Sequence, residues 1–289
     1  MNIKEWEEYK DFIKYLKKKK ISEFIKLNEI ISYIFNDNGK KIRPLILLLS
    51  CEIVCNNYKK ALDASIAIEA IHTASLIYDD IFDNGIIRRN KLSMHKKYNI
   101  NTAILCSNIL ISYSIVNISK YSSYIINKFG KLGIDLCVGE IIDIKNNKTN
   151  SIKVYLDCIK KKTASLFEFC AYIGCNIGNG NNTEIKSIKK FGMYYGMAYQ
   201  LIDDLLEDLN SVEDKKSIYK SNSLYFLYSN IMNKKNALEK CTFIIDKYLT
   251  YAENELFIFK NENKAKIKLK QLIYYLKNIN KKIIKKYKM

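Results

Sequence analysis

Apolar side chains recur along this chain at intervals of three and four, the spacing that keeps them on one face of a helix. Leu45, Leu48, Leu49 and Ile53 form one such series, and Leu62, Ile66, Ala70 and Ile77 form another. The series break at 36–39, 56–58, 84–91, 146–150, 176–182 and 210–222, stretches rich in the turn formers Asn, Gly or Ser. None is long enough to link two domains, and no internal repeat is present. The pattern predicts an all-α protein: one bundle of about ten helices, with residues 1–289 forming a single domain around a central cavity.

Composition agrees with this reading. One proline, Pro44, and ten glycines are too few to turn the chain through a many-stranded β fold. The net charge of +18 comes from lysines spread along the whole chain and not gathered into an arm or stripe. Such a charge is mainly a solvated background that also favours anionic partners. No aromatic and basic motif points to nucleic acid. Eight cysteines lie mostly among apolar residues without a Cys-x-x-Cys pair, which reads as reduced core thiols. The first twenty residues are too charged for a signal peptide, and the apolar run from Pro44 to Cys55 contains Glu52 and is too short to span a bilayer. The expected location is the cytoplasm.

Two acidic clusters change the picture. The helical pattern that begins near Leu62 ends in Asp79, Asp80 and Asp83, with Asp79 and Asp83 one turn apart on one face. A second apolar helix, from Phe191 to Ile202, ends in Asp203, Asp204, Glu207 and Asp208. Like charges crowded at a helix C-terminus oppose both one another and the macrodipole, so a cation is required nearby. An all-oxygen site shared with phosphate suits Mg²⁺. Basic positions are separate from the acids: Lys40 and Arg43 open one helix, Arg88 and Arg89 follow the first cluster, and Lys160, Lys161 and Lys162 interrupt another helix. Arg forks and Lys point charges bind phosphate oxygens. Together these residues describe a diphosphate site.

The collinear order Gly39-Lys40-x-x-Arg43-Pro44, His72, Asp79-Asp80-x-x-Asp83, Arg88-Arg89, Lys162-Thr163-Ala164 and Tyr199-Gln200-x-x-Asp203-Asp204 resembles the trans-isoprenyl diphosphate synthases. The resemblance implies a Mg²⁺-dependent prenyltransferase that joins isopentenyl diphosphate to an allylic diphosphate. It implies that Lys40, Arg43, His72 and Arg89 hold the isopentenyl unit. Arg88, Lys162 and Gln200, with Thr163 assisting, would meet the allylic diphosphate. Asp79, Asp83, Asp203 and Asp204 would ligate three Mg²⁺ ions, with Asp80 in the same catalytic cluster. A homodimer is implied as well, and a long isoprenoid product favours transient membrane contact.

The chain departs from the family at three places. Glu207 stands where an Asp is usual, which changes its reach to metal by one methylene. Asn90 and Leu92 replace Gly and Pro after the arginine pair, and Asn accepts a left-handed turn. The loop after Asp208 is short and lacks glycine, leaving Lys216 as the candidate diphosphate contact. Upstream of Asp79, Ala74 and Ser75 are small where short-chain relatives place aromatics, with Ile71 and Ile68 further along and Tyr113 as a floor. A product of twenty carbons or more follows. Alternative readings are a weakly active subunit of a heteromeric synthase and a terpene cyclase, the latter disfavoured by the second aspartate-rich motif.

Overall fold

The computed structural model describes residues 2–21, 25–35, 39–146, 151–213, 223–260 and 263–287. Lys216, with Lys215 and Lys220, lies outside the described residues. Helices α1 (Glu7–Lys18), α2 (Ile25–Phe35), α3 (Ile42–Cys55) and α4 (Leu62–Phe82) occupy the first third. A one-turn α5 (Met94–Lys97), then α6 (Ile100–Ile118), α7 (Ser123–Asn146), α8 (Ile152–Ile159) and α9 (Ser165–Ile177) follow. The chain continues through α10 (Asn182–Glu213), α11 (Leu224–Ser229), α12 (Lys234–Glu255) and α13 (Lys264–Tyr287).

The expected all-helical class holds, with two refinements. The break at 84–91 contains a small antiparallel hairpin that pairs β1 (Ile87–Arg88) with β2 (Lys91–Leu92). Its turn residues Arg89 and Asn90 have φ of 51° and 64°, the left-handed pair that a two-residue hairpin turn requires. The break placed at 210–222 starts too early, because α10 continues to Glu213.

Local chemistry explains the element ends. The Asn99 side chain accepts the Thr102 amide at 2.8 Å and caps α6. Asn56, at φ 53°, closes α3 with its amide on the Glu52 carbonyl. Helix α3 is the hub: it packs on α4, α9 and α13, and Ile46, Leu47, Leu48 and Leu49 on it are fully buried. Helix α4 packs on α6, α9 on α10, and α10 on α12. Helix α10 runs on to Glu213, so Asp203 to Asp208 lie within it and not at a helix C-terminus as the apolar pattern suggested. By length and composition α6 is apolar enough to cross a membrane, but it is the packing partner of α4. Its other face leaves Leu105, Ile115 and Val116 exposed.

Candidate active site

At the end of α4 the three aspartates separate. Asp79 is half-buried, and burial pushes its carboxyl up to about 7 against the pull of Lys162, with Glu140 adding repulsion. Asp83 is an exposed C-cap whose amide donates to the Asp79 carbonyl. Asp80 turns the other way and is buried. One of its oxygens accepts Arg88 Nε at 2.9 Å and Nη2 at 2.6 Å, and its backbone carbonyl accepts the Gly85 amide. Asp80 therefore fixes Arg88 and the hairpin, which differs from the metal-facing role expected for its neighbours.

Lys162 lies on a π-helical turn, Lys160–Ala164, between α8 and α9. The basic run does not interrupt the helix but widens it, a device common at functional sites. Its ammonium reaches Asp143 at 2.7 Å, Glu140 at 2.9 Å and Asp79 at 3.8 Å. Burial works against this charge, yet the three carboxylates together hold it above its usual pKa. Gly139 lets the α7 backbone lie against the π turn, because a Cβ there would stand 2.4 Å from the Lys162 backbone nitrogen.

The second cluster divides along the helix. Asp203 and Glu207 share the exposed face of α10. Asp204, expected among the metal ligands, instead has both oxygens engaged: it accepts Tyr155 Oη at 2.5 Å and Gln200 Nε2 at 2.6 Å, and Gln200 accepts Thr163 at 2.7 Å. Burial raises Asp204 to about 7 despite these bonds. Asp208 is buried and receives the Ser223 hydroxyl. Gln200 and Thr163, expected at the allylic diphosphate, are thus engaged in a chain that ties the π turn to α10. Arg88 lies within electrostatic reach of Asp203 and of Asp79, so the two clusters border one space.

A second cationic station forms where α3 begins. Arg43 Nη1 stands 3.0 Å from His72 Nε2. A guanidinium can only donate, so His72 accepts and carries its proton on Nδ1. Burial first, then Arg43 and Arg89, keeps His72 well below its usual pKa and neutral. Arg43 also stacks 4.5 Å from the Phe167 ring, and its Nε is buried without a partner, an open donor for an anionic ligand. Beside it, Lys40 is exposed and donates to Tyr275 Oη at 2.6 Å. Arg89 is exposed at the hairpin tip. Lys41, left unassigned in the motif, is buried and bonded to Glu69 at 2.7 Å, pinning the loop to α4 one turn from His72.

Of the positions expected to set product length, Ala74, Ile71 and Ile68 are buried. Ser75 is half-buried and donates to the His72 carbonyl. Tyr113, on α6, is within electrostatic reach of Asp63, Tyr15 and Lys19, and its hydroxyl is buried. Asp63 is in the first turn of α4, sixteen residues before Asp79, a rise of about 24 Å.

Glu140, Asp143, Lys41, Glu69, Tyr155 and Tyr275 are site residues that motif reading did not assign. The i, i+3 spacing of Glu140 and Asp143 after Gly139 was the one local signal. Among the described residues no three acidic, His or Cys side chains converge as a ready-made metal site. The donors nevertheless fit Mg²⁺: Asp79, Asp83, Asp203 and Glu207 offer hard oxygens, and Mg²⁺ uses one or two carboxylates with water and phosphate. The ammonium held by Asp79, Glu140 and Asp143 shows that this wall takes a cation.

A helical bundle with paired carboxylate walls and two cationic stations defines a prenyltransferase acting on diphosphates. The polyprenyl synthetase family profile matches residues 25–216. Over 279 residues the chain is 38% identical to a geranylfarnesyl diphosphate synthase of Methanosarcina mazei, covering 96% of this chain and 94% of that protein. The crystal structure of a geranyltranstransferase from Methanosarcina mazei superimposes with a TM-score of 0.84 at 37% identity, covering 96% and 99% of the two chains. A heptaprenyl diphosphate synthase from Staphylococcus aureus shares the fold, with a TM-score of 0.86 at 22% identity and 96% and 98% coverage. The chain belongs to the polyprenyl synthetase family and makes prenyl diphosphates.

Proposed function

We propose that this enzyme condenses isopentenyl diphosphate with an allylic diphosphate, in a Mg²⁺-dependent reaction giving a product of twenty carbons or more. The observation that carries the assignment of the two substrates is the separation of cationic stations. Lys162 stands among carboxylates at the end of α4, whereas Arg43 and Lys40 stand at the start of α3.

The allylic diphosphate lies between the carboxylate walls, where Asp79, Asp83, Asp203 and Glu207 would hold three Mg²⁺ ions. When bound, these ions neutralise the diphosphate and favour its departure. Arg88, fixed by Asp80, and Lys162 direct donors at the leaving oxygens. Arg43, Lys40 and Arg89 hold the isopentenyl diphosphate. The neutral His72 keeps the Arg43 fork oriented. The isopentenyl double bond attacks the allylic carbon, and the departing diphosphate takes the final proton, so no protein nucleophile is needed. Gln200, Thr163 and Tyr155 hold Asp204, which braces α10 behind Asp203.

Product length rests on α4. One turn rises about 5.4 Å, close to one isoprene unit, so the distance from Asp79 to Asp63 accommodates four to five units. Small Ala74 and Ser75 let the tail pass, Ile71 and Ile68 flank it, and Tyr113 closes it.

The exposed apolar faces of α6 and α7, with Leu105, Val116, Ile134 and Ile141, support a homodimer. Eight free thiols agree with a cytoplasmic location. The lysines of 281–286 would aid transient contact with anionic membrane during product release. Assay of the purified protein with labelled isopentenyl diphosphate, a set of allylic primers and Mg²⁺ tests the reaction. Chromatography of dephosphorylated products reads the length.

A further inference from the structure

We propose that Tyr275, on the C-terminal helix α13, is a direct hydrogen-bond donor to the diphosphate of the isopentenyl unit, paired with Lys40. The inference rests on the proposed placement of that diphosphate at Lys40 and Arg43.

An ammonium has three N–H donors and no acceptor, so in the 2.6 Å contact Lys40 donates and the Tyr275 oxygen accepts. The phenolic proton of Tyr275 is then left to point elsewhere, and it meets no acceptor among the described residues. The Lys40 ammonium keeps two further N–H donors. The pair therefore presents phenol and ammonium donors side by side, the arrangement that phosphate oxygens accept. The Tyr275 ring also lies 4.9 Å from the Lys40 nitrogen, which restrains a side chain whose backbone position is exposed. A lysine held in place loses less rotamer entropy when the ligand arrives.

The surroundings place this pair at the isopentenyl station. Helix α13 packs on α3, the helix that Lys40 and Arg43 introduce. Tyr275 and Arg43 are both within electrostatic reach of Tyr195, a fully buried residue whose hydroxyl is unpartnered. Tyr275 is not what fastens α13. The helix is held by Asn280 on the Thr242 carbonyl and Asp246, and by Lys268 on Glu8. Removing one hydroxyl thus leaves the helix docked.

Tyr275→Phe keeps the ring and deletes the donor. Tyr274→Phe is the control: it removes a neighbouring hydroxyl that bonds Glu253 at the surface. Isopentenyl diphosphate affinity is measured by calorimetry without an allylic partner, and both Michaelis constants, kcat and Tm are measured alongside. Tyr275→Phe is expected to weaken isopentenyl diphosphate about tenfold in Kd and KM, the size of one charge-assisted bond. Its allylic KM, its kcat and its Tm should remain near those of wild type, as should every parameter of Tyr274→Phe. Unchanged isopentenyl affinity in Tyr275→Phe, or equal loss for both substrates, overturns the proposal. Failure of the wild-type enzyme itself to bind isopentenyl diphosphate would instead defeat the underlying assignment of the reaction.

Discussion

The Lys162 ammonium stands 2.7 Å from Asp143, a carboxylate that belongs to neither aspartate-rich motif. With Glu140 and Asp79 it completes a charge cluster in which the lysine is outnumbered three to one. Removing the lysine strands three carboxylates in a recessed site. Lys162→Ala should lower kcat by about 10² to 10³, with the allylic partner more affected than the isopentenyl KM. The metal-free protein should also melt earlier, and Mg²⁺ should recover more of the lost Tm than it adds to wild type. Steady-state kinetics and paired melting curves check both.

Lys40→Ala and Arg43→Ala should act on the other substrate. Each deletes one charge-assisted contact worth about 1.5 to 3 kcal/mol, so the isopentenyl KM should rise at least tenfold. Identical kinetic patterns for these variants and for Lys162→Ala would show that the two stations are wrongly assigned.

Glu52 supplies a pH dependence outside the site. Burial, reinforced by neighbouring Glu8, pushes its carboxyl up to about 8, while Glu8 stays ionised against Lys268. The folded protein therefore binds a proton that the unfolded chain releases near pH 4.5. This contribution to stability is fully present below that pH and is lost as pH rises to about 8. Glu52→Gln keeps the neutral form at every pH. Its Tm should fall less than that of wild type between pH 5 and pH 9, as melting curves across that range would show.

Product length should respond to α4 and α6 in opposite directions. Ser75→Phe or Ala74→Phe places an aromatic one turn from Asp79 and should shorten the product toward fifteen carbons. Tyr113→Ala removes the floor near Asp63 and should lengthen it. Unchanged chain lengths in both classes, read by chromatography, would show that the tail runs elsewhere.

Much of this was legible in the sequence because it is local. Helical periodicity marks α3, α4 and the middle of α10, and collinear motifs single out Arg43, His72, Asp79 and Asp203 as candidates. What was not legible depends on how helices dock. The division of the second motif, with Asp203 and Glu207 outward and Asp204 and Asp208 inward, follows from where Tyr155 and Ser223 lie, 49 and 15 residues away. Lys41 looks like one more surface lysine until Glu69 is seen beside it. Two-residue strands carry no alternating pattern, so the hairpin that aims Arg88 was hidden within a turn-rich break. Tyr275 is 235 residues from Lys40 and carries no motif at all.

Chain extension by the purified protein alone, with radiolabelled isopentenyl diphosphate and an allylic primer, decides whether the carboxylate walls serve a metal-held diphosphate. Wild type should form labelled prenyl diphosphate only with Mg²⁺ present, and Asp79→Ala should lose turnover by several orders of magnitude while remaining folded. Extension without a divalent ion, or near-wild-type turnover in Asp79→Ala, would contradict the assignment of the carboxylate walls to a metal-held diphosphate.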